Sequence, residues 1–205
     1  KIMKVLEQEG LTQNTIVVFT ADHGDLRGEH GRQNKGVPLE GSAKIPFVIQ
    51  WPGRINPGTR IAEAMGCVDF LPTILSMMNC KTAGKESGRD ASGFFVGSKP
   101  ANWEDVAILR KGSALGWVCA VSKRYKLVLS PQDPPWLIDK QEDPDELINF
   151  AHKQECRDSV RKLAKAMAGY HRQHHDPSLE HEKMQRDLAW AVGEVLEYET
   201  SNDGL

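Results

Sequence analysis

The sequence predicts an α/β protein: the end of a mostly parallel sheet with helices, then a small antiparallel sheet, then C-terminal helices. Three observations carry this expectation. Two apolar runs of strand length, Thr15–Thr20 and Ile45–Trp51, show no polar alternation. Such runs suggest strands covered on both faces, as in a parallel sheet. From about residue 106, short apolar runs follow one another with only turn residues between them, which suggests antiparallel neighbours. Beyond about residue 154 the apolar spacing becomes helical.

Taken in order, Lys1–Gly10 reads as a helix with Ile2, Val5 and Leu6 on one face and Gly10 as its stop. Thr15–Thr20 is the first strand. Residues 21–44 are glycine-rich and polar, a long loop at a strand end, where function tends to reside. Ile45–Trp51 is the second strand, closed by Pro52-Gly53. Val68–Met78 reads as a helix with Pro72 in its first turn. Residues 80–104 look irregular. Val106–Arg110, Gly116–Ser122, Lys126–Ser130 and Trp136–Asp139 read as short strands. A helix from about Gln154 to His171 carries Val160, Leu163, Ala164 and Met167 on one stripe, and Asp176-Pro177 breaks it. A second, about Ser178 to Glu199, carries Met184, Leu188, Ala191 and Val195. The expected domains are 1–104, 105–150 and 151–205. The chain opens inside a helical pattern with no cap, so it is expected to be a fragment whose targeting signal, if any, lies upstream.

Composition excludes several classes. Twenty-six basic and 28 acidic residues give a formal charge of -2, which excludes a strongly basic nucleic-acid binder and a polybasic membrane patch. No apolar run is long enough for a membrane-spanning helix. Four cysteines, none in a C-x-x-C pair, form neither a disulfide framework nor a zinc ribbon. His171 and His175 have a spacing that can chelate zinc, but Asp176-Pro177 frays the helix there and nothing completes the set.

Chemistry concentrates in Thr20-Ala21-Asp22-His23-Gly24-Asp25, at the C-terminal end of a strand. Ligands of open α/β sheets bind at that end. Asp22 and His23 can both reach one cation if Gly24 lets the backbone turn. Lys35, in Asn34-Lys35-Gly36, suits an anion that bridges cation and lysine; the same residues also suit an N-cap and a surface lysine. His30 either contacts substrate or holds the loop. Arg27 and Arg32 either grip an anionic group or are solvated.

The stretch TIVVFTADHGDLRGEHGRQNKGVPLEGSAKIPFVIQWPGRI resembles a signature region of the sulfatase family, within the alkaline-phosphatase-like superfamily. Lys35, Glu40, Gly41-Ser42, Lys44, Pro46 and Pro52-Gly53 fall on its positions. Cys67–Leu75 is similar to the family's V-D-x-x-P-T-x-L helix, Lys123–Leu127 to its Y-K-Y strand, and Trp136–Asp139 with Glu142–Glu146 to its closing element. The resemblance covers roughly residues 10–155 and implies the C-terminal portion of a sulfatase. It implies sulfate-ester hydrolysis with a formylglycine nucleophile and a divalent cation, usually calcium. On that resemblance Asp22 and His23 are metal ligands and Lys35 contacts the sulfate. Many members carry Asn where His23 stands, which leaves the metal less certain, and Lys44 stands where arginine is usual. The C/S-x-P/A-x-R motif that yields formylglycine does not occur in these residues. The nucleophile and the other metal aspartates are therefore expected in a missing N-terminal half, leaving this chain inactive alone. Two alternatives stand beside this: a phosphonate monoester or phosphodiester hydrolase of the same superfamily, or a non-catalytic module with the sulfatase fold.

Overall fold

The computed structural model describes residues 1–81, 84, 86–112, 115–194 and 198. The chain divides into two compact units, Lys1–Glu104 and Asp105–Leu205.

The first unit opens with α1 (Ile2–Gln8), followed by β1 (Val17–Thr20), and the chain returns as β2 (Phe47–Gln50) after a short helix, α2 (Glu40–Ala43). The two strands pair antiparallel, with Val17 opposite Gln50 and Phe19 opposite Val48. The parallel arrangement expected for these strands is therefore corrected. A parallel neighbour needs a crossover that carries the chain back to the other end of the sheet. Residues 21–46 instead fold beside the C-terminal end of β1 and re-enter there, so the returning strand must run the opposite way.

Only one face of the pair is covered. Ile16 and Ile49 pack on the cluster Met77, Ala91, Phe94 and Phe95, and the Phe47 ring meets those of Phe70 and Phe95 at 5.9 Å. The other face leaves Phe19 66% and Val48 61% exposed. The unbroken apolar run predicts two covered faces, and among the described residues nothing covers Phe19 and Val48 on the second.

The predicted helix near residue 70 forms as a 3-10 turn, Cys67–Asp69, leading into α3 (Phe70–Met77). Asp69 is buried and organises the segment. Its carboxylate accepts from Gly66 N–H at 3.0 Å and Arg89 N–H at 2.7 Å, and pairs with the Arg89 guanidinium at 3.2 Å. That guanidinium lies over the Trp103 ring at 3.9 Å. Thr73 Oγ1 donates to the Asp69 carbonyl and accepts from Ala91 N–H. One carboxylate and one hydroxyl thus tie the helix to residues 89–91, just ahead of α4 (Ser92–Phe95).

The second unit holds β3 (Ala107–Arg110), β4 (Val118–Val121), β5 (Tyr125–Leu129) and β6 (Trp136–Asp139), antiparallel and in chain order. Helix α5 (Arg157–His174) packs on β4 and β5, and α6 (Glu182–Val192) packs on α5. The expected stripe of α5 is its buried face: Val160, Leu163, Ala164 and Met167. In α6, Met184 and Ala191 are buried, while Val195 and Glu199 of the predicted helix lie outside the described residues. The polar residues of the Trp136–Glu146 motif are structural. Arg124 forks onto Asp139 at 3.0 and 2.7 Å. Burial alone would raise the Asp139 carboxyl, but Arg124 and the N–H groups of Gln141 and Glu142 outweigh it and hold it below its ordinary value. Lys126 and Glu146, both almost fully buried, pair at 2.6 Å.

Candidate active site

The segment from Ala21 to Pro46 leaves and rejoins the β1–β2 pair at one end, where Thr20 faces Phe47. Leu26 and Leu39 within it are buried. Leu26 N–H donates to the Asn34 carbonyl at 2.8 Å, and Gly28 N–H to Arg32 at 2.9 Å, closing the tip into a narrow turn. Arg27, Gly28, His30, Gly31, Asn34 and Gly36 all have positive φ. Three of these are not glycine, a concentration of unfavourable backbone that only the surrounding hydrogen bonds can hold.

Ser42 joins the two ends of the loop. Its carbonyl accepts from Gly24 N–H at 2.9 Å, and its Oγ accepts from Gly36 N–H at 3.1 Å. Gly24 has to be glycine, because a Cβ there would drive into the Gly41 carbonyl. Gly41 in turn faces the Glu29 carboxylate and Leu26. Gly41-Ser42 falls in a sequence motif that by itself assigns neither residue a task. The signal was the small pair itself, which allows two backbone segments to touch.

This framework brings Asp22, His23 and Lys35 together. His23 Nδ1 lies 2.7 Å from the Gly24 carbonyl, which assigns the proton to Nδ1. The lone pair of Nε2 is then free to accept, and Lys35 Nζ donates to it at 2.6 Å. Asp22 Oδ2 stands 3.5 Å from the same nitrogen, and Asp22 Oδ1 accepts from His23 N–H at 3.0 Å. The Asp22 side chain is 87% exposed and that of His23 39%, so the trio faces solvent. A backbone carbonyl thus fixes the tautomer and the ring orientation of His23.

His30 does not join the trio. It sits exposed at the loop tip with φ 53°, and its ring makes no hydrogen bond among the described residues. The backbone N–H of Arg27 donates to Asp25 at 3.2 Å, and the side chains of Arg27 and Arg32 are exposed. Lys44, just past the end of α2, pairs with Glu40 at 3.5 Å. Among the described residues no group of three or more His, Cys, Asp or Glu gathers as a metal centre, the histidines of the tail included. Among them too, no helix is long and apolar enough to cross a membrane.

Relatives of known kind share this architecture. An arylsulfatase of Clostridium perfringens is 27% identical over 172 residues, covering 82% of this chain and 36% of the relative. The yidJ structure from Bacteroides fragilis, which bears a sulfatase name, superposes with a TM-score of 0.76 at 26% identity, covering 88% of this chain and 40% of that one. The phosphonate monoester hydrolase of Agrobacterium radiobacter superposes with a TM-score of 0.72 at 25% identity, covering 87% and 39%. The chain thus spans little more than a third of the length of these relatives. Residues 28–173 match the family described as N-sulphoglucosamine sulphohydrolase, C-terminal. With most of its length inside that match, the chain belongs to this family, and through it to the sulfatases.

Proposed function

We propose that the protein carrying these residues hydrolyses sulfate esters, with Asp22 and His23 holding a divalent cation, calcium first among candidates, and Lys35 contacting the sulfate. The observation that supports this is the convergence of a carboxylate oxygen, an imidazole lone pair and an ammonium at one exposed point of a strained loop. The donor set fits one edge of a cation's shell. A hard cation such as calcium takes roughly six to eight oxygen ligands, so the remaining ligands belong to groups outside the trio. When bound, the cation would draw electron density from the sulfate oxygens. The chain's own residues do the rest of what can be assigned. The Gly24 carbonyl holds the His23 ring, and Lys35 neutralises charge on the sulfate oxygens as it develops. His30 and Arg32, exposed on the same loop, are available to the remainder of a substrate. The formylglycine motif does not occur in these residues, and no bond-forming step is given to any of them.

One observation favours a second reading. The similarity to a phosphonate monoester hydrolase keeps a phosphonate or phosphodiester substrate open, since both anions are tetrahedral. The test is to express the complete reading frame and compare kcat/KM on 4-nitrophenyl sulfate with that on the 4-nitrophenyl ester of phenylphosphonate. The sulfate ester is expected to be turned over faster, and Lys35→Ala to lower that turnover about a hundredfold, the scale of losing one charge-stabilising donor. A faster phosphonate ester would select the second reading. No turnover of either would select a binding module.

A further inference from the structure

Ser42 is 5% exposed, and each of its polar groups is committed to the loop. Its N–H donates to the Leu39 carbonyl at 3.0 Å, which winds it into α2. Its carbonyl accepts from Gly24 N–H at 2.9 Å, and its Oγ accepts from Gly36 N–H at 3.1 Å. Gly24 directly follows His23, and Gly36 directly follows Lys35. One buried residue therefore grips the residue after each of two site residues that lie twelve positions apart. The two grips differ in kind. The one on Gly24 comes from the main chain, which any residue at position 42 supplies. The one on Gly36 comes from a hydroxyl, which few residues supply. The turn that it holds needs holding. Lys35 sits between Asn34 and Gly36, with left-handed φ of 73° and 92°. Such backbone is unfavourable for asparagine and keeps its course only under restraint from its surroundings. Ser42 can supply that restraint because it is itself anchored. Leu39, next to α2, is buried, and only residues 44–46 separate α2 from β2.

We propose that Ser42 is a positioning residue of the site, its Oγ fixing the turn that presents Lys35 to the substrate. The proposal rests on the reading that Lys35 contacts the substrate anion. Ser42 acts through that lysine: its hydroxyl holds Gly36, and its effect reaches the anion as the place of the ammonium. An ammonium displaced by about an ångström loses much of its hold on charge that develops in the transition state. An interaction that strengthens in the transition state is lost from kcat more than from KM.

The test is a double-mutant cycle on the protein of the complete reading frame, with whichever of the two 4-nitrophenyl esters it turns over faster. Ser42→Ala removes the hydroxyl and keeps the carbonyl bond to Gly24. It is expected to lower kcat about tenfold and to change KM less than about twofold. In the Lys35→Ala background the same change is expected to have no further effect, because a residue that acts through the lysine has nothing left to place. Circular dichroism checks that all variants fold alike. Should Ser42→Ala fail to fold, Ser42→Cys, which keeps a side chain of similar shape with only a weak acceptor, carries the same cycle. An equal loss in both backgrounds overturns the proposal, since Ser42 would then support the fold and not the lysine. An unchanged kcat in Ser42→Ala overturns it too. In either case a loss in Lys35→Ala alone leaves the lysine reading standing. If Lys35→Ala costs nothing, or the parent protein turns over neither ester, that reading fails and the positioning role falls with it.

Discussion

At Gly24 the chain has no room for a side chain, and the candidate site depends on that. The Gly24–Ser42 hydrogen bond brings the residues after β1 against α2, and the Gly24 carbonyl sets the His23 ring. Gly24→Ala would push a methyl into the Gly41 backbone, which cannot rotate away as a side chain could. The expected cost is about 1–3 kcal/mol, typical of overpacking, read as a lower midpoint in thermal unfolding. An unchanged midpoint would mean that the loop can open at Gly24 without loss, and that the trio is not held by this contact. The Asp-His-Gly order and a lysine twelve residues on were legible in the sequence as chemistry. The way they meet was not. The meeting depends on Ser42, whose two hydrogen bonds join residues far apart in the chain, and on left-handed backbone at Arg27, His30 and Asn34. Residue type favours left-handed φ clearly at glycine and weakly at asparagine, and gives no such signal for arginine.

Among the elements, the helices were legible because burial on one face repeats along the chain, as in the stripe of α5. Trp136–Asp139, buried at three of its four residues, was marked instead by the turn residues that bound a short apolar run. The direction of β2 was not legible. An unbroken apolar run reports cover on both faces, and direction is set by which end of the sheet the preceding loop leaves and rejoins. Nor does apolar pattern reveal the buried ion pair of Lys126 and Glu146. Lys126 is the second residue of β5 and reaches Glu146 at 2.6 Å, with both side chains at most 3% exposed. Removing one partner takes a 2.6 Å ion pair from the buried charge that stays, while removing both takes away both charges. Lys126→Met alone is expected to cost about 3–5 kcal/mol in denaturant unfolding. Lys126→Met with Glu146→Leu should recover most of that loss. A double variant as unstable as the single one would show that the pair contributes through packing geometry rather than through compensation of charge.

For the molecule as a whole, the exposed face of the β1–β2 pair is the feature with the widest consequence. Directly opposed residues of an antiparallel pair share a face. Val17, Phe19, Val48 and Gln50 therefore form one surface, on which Phe19 and Val48 are each more than half exposed. Each strand also has one edge without a partner strand among the described residues, leaving N–H and C=O groups free to template further pairing. A large aromatic and a β-branched residue beside open strand edges invite association, because burying them removes apolar area from water while the edges gain hydrogen bonds. The 205-residue chain is thus expected to self-associate, with sedimentation coefficients that rise with concentration in the micromolar range. Phe19→Ser with Val48→Ser should lower that dependence while leaving the far-ultraviolet circular dichroism unchanged, since neither side chain lies on the face packed against Phe94 and Phe95. If the parent chain sediments as a monomer at every concentration, the surface is too small or too twisted to pair with itself. If both chains associate alike, the contact lies elsewhere on the protein.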